Sequence, residues 1–263
     1  MNKQGYIRRQ KIIQNRLMKV YIQPVFNALM SQYEPYIETV KSKGVHAAQA
    51  KARTDPGINH QIGPVVNSLY GDAAKLAEPQ LRVSKGFGSF GINLGFIRDV
   101  LAYFADYLFE KVVLPISQTT MDDIRQLLDQ AIAEGWGVDK TVSEMENSDI
   151  PKWRSRMIVR TESVRAMNYS QLKAADDKNF EVEKMWIAIE DNRTRIAHTH
   201  AGVDGEVRDL YDSFSNNLLF PGDPAGSPEQ TINCRCTLGY QYKKDLNGDF
   251  IPKEKNPHLL PTV

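Results

Sequence analysis

Apolar positions in the first part of the chain recur at helical spacing. Ile12, Ile13, Leu17 and Val20 form one set, and Phe26, Met30, Tyr33, Ile37 and Val40 form a second. Pro24 falls between the two sets and predicts the start or kink of a second helix, with Pro35 as a bend. Over residues 53–95 the periodicity is broken by Pro56, Gly57, Gly63, Pro64, Gly71, Pro79 and four further glycines, which predicts an irregular connection with short helices. A helical stripe returns with Ile97, Val100, Phe104, Leu108 and Val112, and Pro115 is expected to end it. Thr119 or Thr120 then suits the cap of a helix whose core face is Ile124, Leu127, Leu128 and Ala131, stopped by Gly135-Trp136-Gly137. A short helix over 139–147 follows, and Asp149 and Pro151 open a long one reaching about residue 178.

The pattern then changes. Val182 to Ile189 is β-branched and aromatic and reads as a strand; a second is expected near Val207 and a last one over Thr237 to Tyr242. Between them Pro221, Gly222, Pro224, Gly226 and Pro228 mark a turn-rich stretch, and the tail from Pro252 reads as extended. Helices first and strands afterwards define an α+β chain, a mainly helical N-terminal part followed by a small β-rich C-terminal unit, rather than alternating βαβ. The expected division is 1–118, a helical arm and region with an irregular Gly/Pro-rich connection; 119–245, a motif-rich domain; and 246–263, an extended tail.

Composition adds mainly exclusions. The 263 residues are 41% hydrophobic and 25% charged, with a net charge of +1, which argues against a uniformly basic nucleic-acid coat. No apolar run approaches the ~20 residues of a membrane span, and the N-terminus lacks the apolar region of a secretory leader. Cys234 and Cys236 stand too close in sequence to favour a disulfide with each other, so an oxidising compartment is not indicated and cytosolic synthesis is expected. Charge is unevenly placed. Lys3, Arg8, Arg9, Lys11, Arg16 and Lys19 precede the first acid, Glu34. This cationic stretch is either a solvated helix face or a contact for DNA or an acidic partner; Arg8, Arg9, Lys11, Arg16 and Lys19 are its candidate contacts. Without interleaved aromatic readers it suits phosphates rather than bases.

Cys234-Arg235-Cys236, if extended, places two thiols on one face, and His198-Thr199-His200 does the same with imidazoles. Together they would make a Cys2His2 set suited to zinc. The alternative is buried cysteines and a hydrogen-bonded histidine in an ordinary core. Gly86-Phe-Gly88-Ser-Phe-Gly91 spells a dinucleotide fingerprint without the strand that should precede it. Asp245-x-Asn247-x-Asp249 begins like a calcium loop but has neither the glycine nor the final glutamate. Arg160, Asn168 and the apolar Met157 and Val164 share one face of the long helix, whereas Glu162 lies about 200° away from Arg160. That divergence favours structural pinning of the helix to the β unit over shared catalysis. Asp191 after the first strand suits a turn, or a ligand beside His198.

Arg160-Thr161-Glu162, then Asn168, Trp186, Asp191-x-Arg193-Thr194-Arg195-x-x-His198, Gly205, Phe214, Pro221 and Asn233-Cys234-Arg235-Cys236, in that order, resemble the phage head morphogenesis or phage Mu protein F-like minor head proteins over roughly residues 120–240. The resemblance implies a structural, non-enzymatic protein of a tailed phage or prophage, acting in head assembly beside the portal protein and the major capsid proteins. It implies residence in the virion, in the head interior or portal region, and in the host cytoplasm during assembly; the cationic N-terminal stretch makes the portal or packaged double-stranded DNA its candidate contact, and the lack of a long apolar run predicts no membrane contact. The family residues carried over are Arg160, Glu162, Asp191, Arg193, Thr194, His198, Cys234 and Cys236. His200 is not part of that pattern, so Asp191 or water is an alternative fourth ligand of a structural zinc. Two other readings are open to the same residues: a metal-dependent nuclease or toxin-like enzyme using His198 or His200, and a non-specific DNA-binding module. An ADP-ribosyltransferase is excluded by the chain order of Arg160, Glu181-x-Glu183 and Ser213-x-Ser215.

Overall fold

A computed structural model describes residues 3–77, 94–189 and 200–253. Its first element is a single helix, α1 (Lys3–Lys43), which runs through both Pro24 and Pro35. No second helix starts at Pro24, because the apolar face continues past each proline: Val25, Leu29, Tyr33, Tyr36 and Val40 are all buried. Each proline removes one backbone hydrogen bond, and the burial of that stripe outweighs it. The order continues with α2 (Val45–Thr54), α3 (Ile62–Ala77), α4 (Leu94–Tyr107), a π-helical segment (Leu108–Val113), α5 (Leu114–Ala133), α6 (Val138–Glu146) and α7 (Asp149–Asp176). Then come β1 (Val182–Ile187), β2 (Val207–Asp209), the short α8 (Pro228–Thr231) and β3 (Thr237–Tyr242). The chain is thus mainly helical up to a small antiparallel sheet, as its patterning predicts.

Three local expectations are corrected. Residues 62–77 form a regular helix despite Gly63, Pro64 and Gly71, because Pro64 falls in the first turn, where its missing N–H is not needed. Pro115 opens α5 rather than closing the preceding helix, for the same reason. Thr119 and Thr120 therefore lie inside α5, where their hydroxyls donate to the carbonyls of Pro115 and Ile116 four residues back. Gly135 ends that helix as expected, with φ at +65°.

The described residues fall into two compact units. One comprises Val20–Asn67 and Tyr107–Val159. Its core joins Tyr33, Ile37 and Val40 to Ala48 and Ala52, Met121, Ile124 and Leu128, and Met145. Buried polar groups tie its connections down. Gln32 Nε2 donates to the carbonyls of Gly57 (2.7 Å) and Ser117 (2.9 Å), and the Asn59 amide N–H donates to Ser117 Oγ. Arg154 is buried on Asp123 (2.8 Å), with further bonds to Thr120 Oγ1 and the Ile116 carbonyl.

The other unit takes the described residues of Met1–Lys19, Ser68–Asp106 and Arg160–Val263. Its sheet has the order β2-β1-β3, with Lys184 opposite Arg208 on β2 and opposite Tyr240 on β3. From Thr161 to Leu172 every residue of α7 is buried. The burial includes Glu162, Arg165, Asn168 and Gln171, so this part of the helix is a polar axis inside the unit. The first turns of α1 dock on the same unit: Tyr6 Oη meets both backbone groups of Tyr240, and Lys3 pairs with Asp204. A helix thus covers backbone groups of β3 that would otherwise be open to strand pairing. The buried face here is Tyr6, Gln10, Gln14 and Leu17, while Ile12 and Val20, expected in the apolar stripe, are more than half exposed. Beyond β3 the chain folds back, with bridges Lys244↔Phe250 and Phe180↔Pro252. The rest of the expected tail, and the Gly86–Gly91 motif, lie outside the described residues.

Candidate metal centre on the C-terminal sheet

The segment before β3 is set by its own turn chemistry. Ser227 and Gln230 form a reciprocal capping box around the one-turn helix α8, and Asn233 follows with φ at +61°. That turn is fixed from α7. Arg160 Nη1 donates to Asn233 Oδ1 (2.7 Å), and the Asn233 backbone N–H donates to Thr161 Oγ1 (2.8 Å). Two turns further along α7, Asn168 binds two backbone segments at once. Its Nδ2 donates to the carbonyls of Pro221 and Cys236 (both 3.1 Å), and its Oδ1 accepts from the Leu238 N–H (3.2 Å). Cys234 and Cys236 are held between these two anchors.

Their thiols face one imidazole. His200 Nδ1 lies 3.0 Å from Cys236 Sγ and 3.5 Å from Cys234 Sγ, and the three ligand atoms lie within 4.8 Å of one another. All three residues are buried, with exposures of 2–4%. Burial works against a charged sulfur at Cys234, but hydrogen bonds from Cys236 and His200 outweigh it and hold that thiol below its ordinary range. Cys236, hydrogen-bonded to Cys234 and buried, is pushed up. Trp186, fully buried on β1, completes the surroundings. Its ring meets His200 edge-on at 6.2 Å between centroids. Its indole Nε1 has no hydrogen bond of normal geometry, yet it favours the charged form of the Cys236 sulfur, as does the Ile189 backbone amide. A buried indole N–H that acts on a cysteine sulfur and makes no other hydrogen bond fits a site whose sulfurs become thiolates when a divalent ion such as zinc is bound. Two sulfurs and an imidazole are the donor set of zinc.

The sequence-predicted residues are distributed as follows. His200, Cys234 and Cys236 come together, and Trp186 flanks them; His198, Asp191, Arg193 and Thr194 lie outside the described residues. Among the described residues, the histidine that meets both sulfurs is His200, which the resemblance does not include. Arg160 and Glu162 diverge as their helical spacing requires: Glu162 is buried on Arg165 (2.7 Å) and accepts from Tyr70 Oη. Arg8, Arg9, Lys11, Arg16 and Lys19 are all exposed on α1. Thr161 and Arg165 were missed. Arg165 Nε donates to the Gly222 carbonyl (2.8 Å), and its position three residues after Glu162 was the available clue. Gly222 has φ +86°, and a Cβ there would stand 3.0 Å from the Arg165 Cα. Gly222→Ala is therefore expected to cost about 2–4 kcal/mol, read as a lower urea midpoint with an unchanged slope.

Residues 122–239 match the family described as phage Mu protein F like protein. The metal-centre cysteines and their α7 anchors lie inside the matched residues. No curated protein and no solved structure gives a significant match. Among the described residues, no helix is long and apolar enough to cross a membrane.

Proposed function

We propose that this chain is a minor head protein of a tailed phage or prophage, incorporated at or near the portal during capsid assembly. The observation that carries the reading is the family match over residues 122–239. Within it, Arg160 bonds Asn233 and Asn168 bonds the Cys236 carbonyl, so α7 and the cysteine-bearing segment are joined at two points. In this reading residues 119–245 are the head morphogenesis domain, 1–118 a helical region and 246–263 a tail. His200, Cys234 and Cys236 hold a structural zinc, with the fourth position taken by His198, Asp191 or water. The zinc would tie the start of β3 to the residues after β1, and the protein performs no catalysis.

The partners are the portal, other head proteins and packaged DNA. Exposed Arg8, Arg9, Lys11, Arg16 and Lys19 present a cationic face with no acid before Glu34, suited to phosphates. Particles assembled with the full chain and with a variant carrying glutamine at those five positions test this directly. The expected result is the chain present in wild-type heads at low copy number, and depleted several-fold in the variant. Its absence from purified heads would overturn the head-protein reading, and equal incorporation would remove the cationic face from it. Duplex binding by the isolated chain should weaken steeply with salt, with a log–log slope of about −4.5 if all five charges engage. Chelator-sensitive cleavage of DNA by the chain would instead favour a nuclease.

A further inference from the structure

Lys184 is the charged side chain that the fold places most deeply without an obvious use. The alternation of β1 puts it on the same face as Trp186, and its exposure is 0%. Its Nζ donates to the Leu210 carbonyl at 2.8 Å and lies 5.3 Å from the centroid of the Phe214 ring. Among the described residues no carboxylate comes within ion-pair distance of it. Phe214 in turn packs edge-on against Trp186, at 5.2 Å between centroids. The amine therefore touches the loop from Leu210 to Asp223 at two points, and that loop shields the indole beside the cysteines.

Charged and titratable groups surround it on each packed element. Arg208 stands opposite on β2, with its guanidinium paired to Glu206. Tyr240 stands opposite on β3, with its hydroxyl buried and unpartnered. From the loop itself, Asp212 and Asp223 act on the amine at longer range. The Asp223 carboxylate is already occupied by the backbone amides of Leu219 and Ala225, and it also feels Arg165 on α7. Nothing in this set offers a protonated amine the close counter-ion that burial of a charge requires.

We propose that Lys184 is a proton-operated latch: uncharged, it keeps the Leu210–Asp223 loop closed over β1; protonated, it favours opening of that loop to water. Burial lowers the amine from its ordinary 10.5 to about 7, against the opposing pull of Asp212 and Asp223. A water-exposed amine keeps its proton up to 10.5. The open state therefore binds more protons between about pH 7 and 10.5, and closure strengthens as pH rises through that window. Below about 7 both states are protonated and the contribution is flat. Asp223, raised by burial, would act on the acid side instead.

Amide protection factors across the loop, measured on the full chain between pH 6 and 8.5, test the latch. The expected result is little change below pH 7 and a rise of up to about tenfold per pH unit above it. Lys184→Met should remove that rise, and Asp223→Asn should retain it. An equal rise in Lys184→Met, or none in the wild type, overturns the proposal. Should Lys184→Met not fold, the 13Cε resonance of Lys184 in the wild-type chain decides: its titration midpoint must coincide with the onset of loop protection, and separate midpoints would rule the latch out.

Discussion

Cys236→Ser is expected to lower the stability of the sheet-bearing unit by about 3–5 kcal/mol, and a strong chelator should produce a loss of similar size in the wild type. The variant itself should then be insensitive to chelator. This cross-comparison separates a metal clip from ordinary packing. In a metal-free core, serine for a small buried cysteine would still cost stability, but chelation of the wild type would do nothing. The size follows from the geometry. One substitution takes a sulfur from a three-residue cluster that is almost wholly buried, and it leaves His200 Nδ1 without its 3.0 Å neighbour. The loss should be local as well as global. Amide exchange is expected to rise first around residues 200–206 and 232–238, while α2, α5 and α6 keep their protection. Uniform loosening of both units would contradict a clip confined to the C-terminal lobe.

Asn168→Ala is the second large effect, with about 3–6 kcal/mol expected. The asparagine is fully buried, and its amide bonds the carbonyls of Pro221 and Cys236 and the N–H of Leu238. Removing it strands three buried backbone groups, each worth about 1–3 kcal/mol when left unsatisfied. Urea unfolding followed by tryptophan fluorescence measures the loss, since Trp186 lies in the same unit. A cost below about 1 kcal/mol would mean that water replaces the side chain and that α7 does not anchor the two segments through this residue.

The patterning made much of this legible, and its failures have physical causes. The strands Val182–Ile187 and Thr237–Tyr242 and the opening of α7 at Asp149 follow from β-branched runs and helix-start chemistry that are local properties of the chain. The continuity of α1 was not readable. Pro24 and Pro35 are strong local breakers, and only the burial of Leu29, Tyr33 and Tyr36 against other elements outweighs them. The buried face of the first turns was misread because it carries Gln10 and Gln14, whereas the apolar Ile12 and Val20 face water. At the site, the shared face of the two cysteines and the divergence of Arg160 from Glu162 follow from strand and helix periods. The roles of Thr161, Arg165 and Lys184 depend on which loop returns to α7 and β1, and spacing carries no record of that.

Zinc-edge X-ray absorption on the full-length chain, purified without chelator, tests the central claim most directly. About one zinc per chain, with two sulfurs at about 2.3 Å and nitrogen in the same coordination sphere, is the predicted result. A chain without stoichiometric metal, or with a metal bearing no sulfur, would contradict the clip and return the two cysteines to the hydrophobic core.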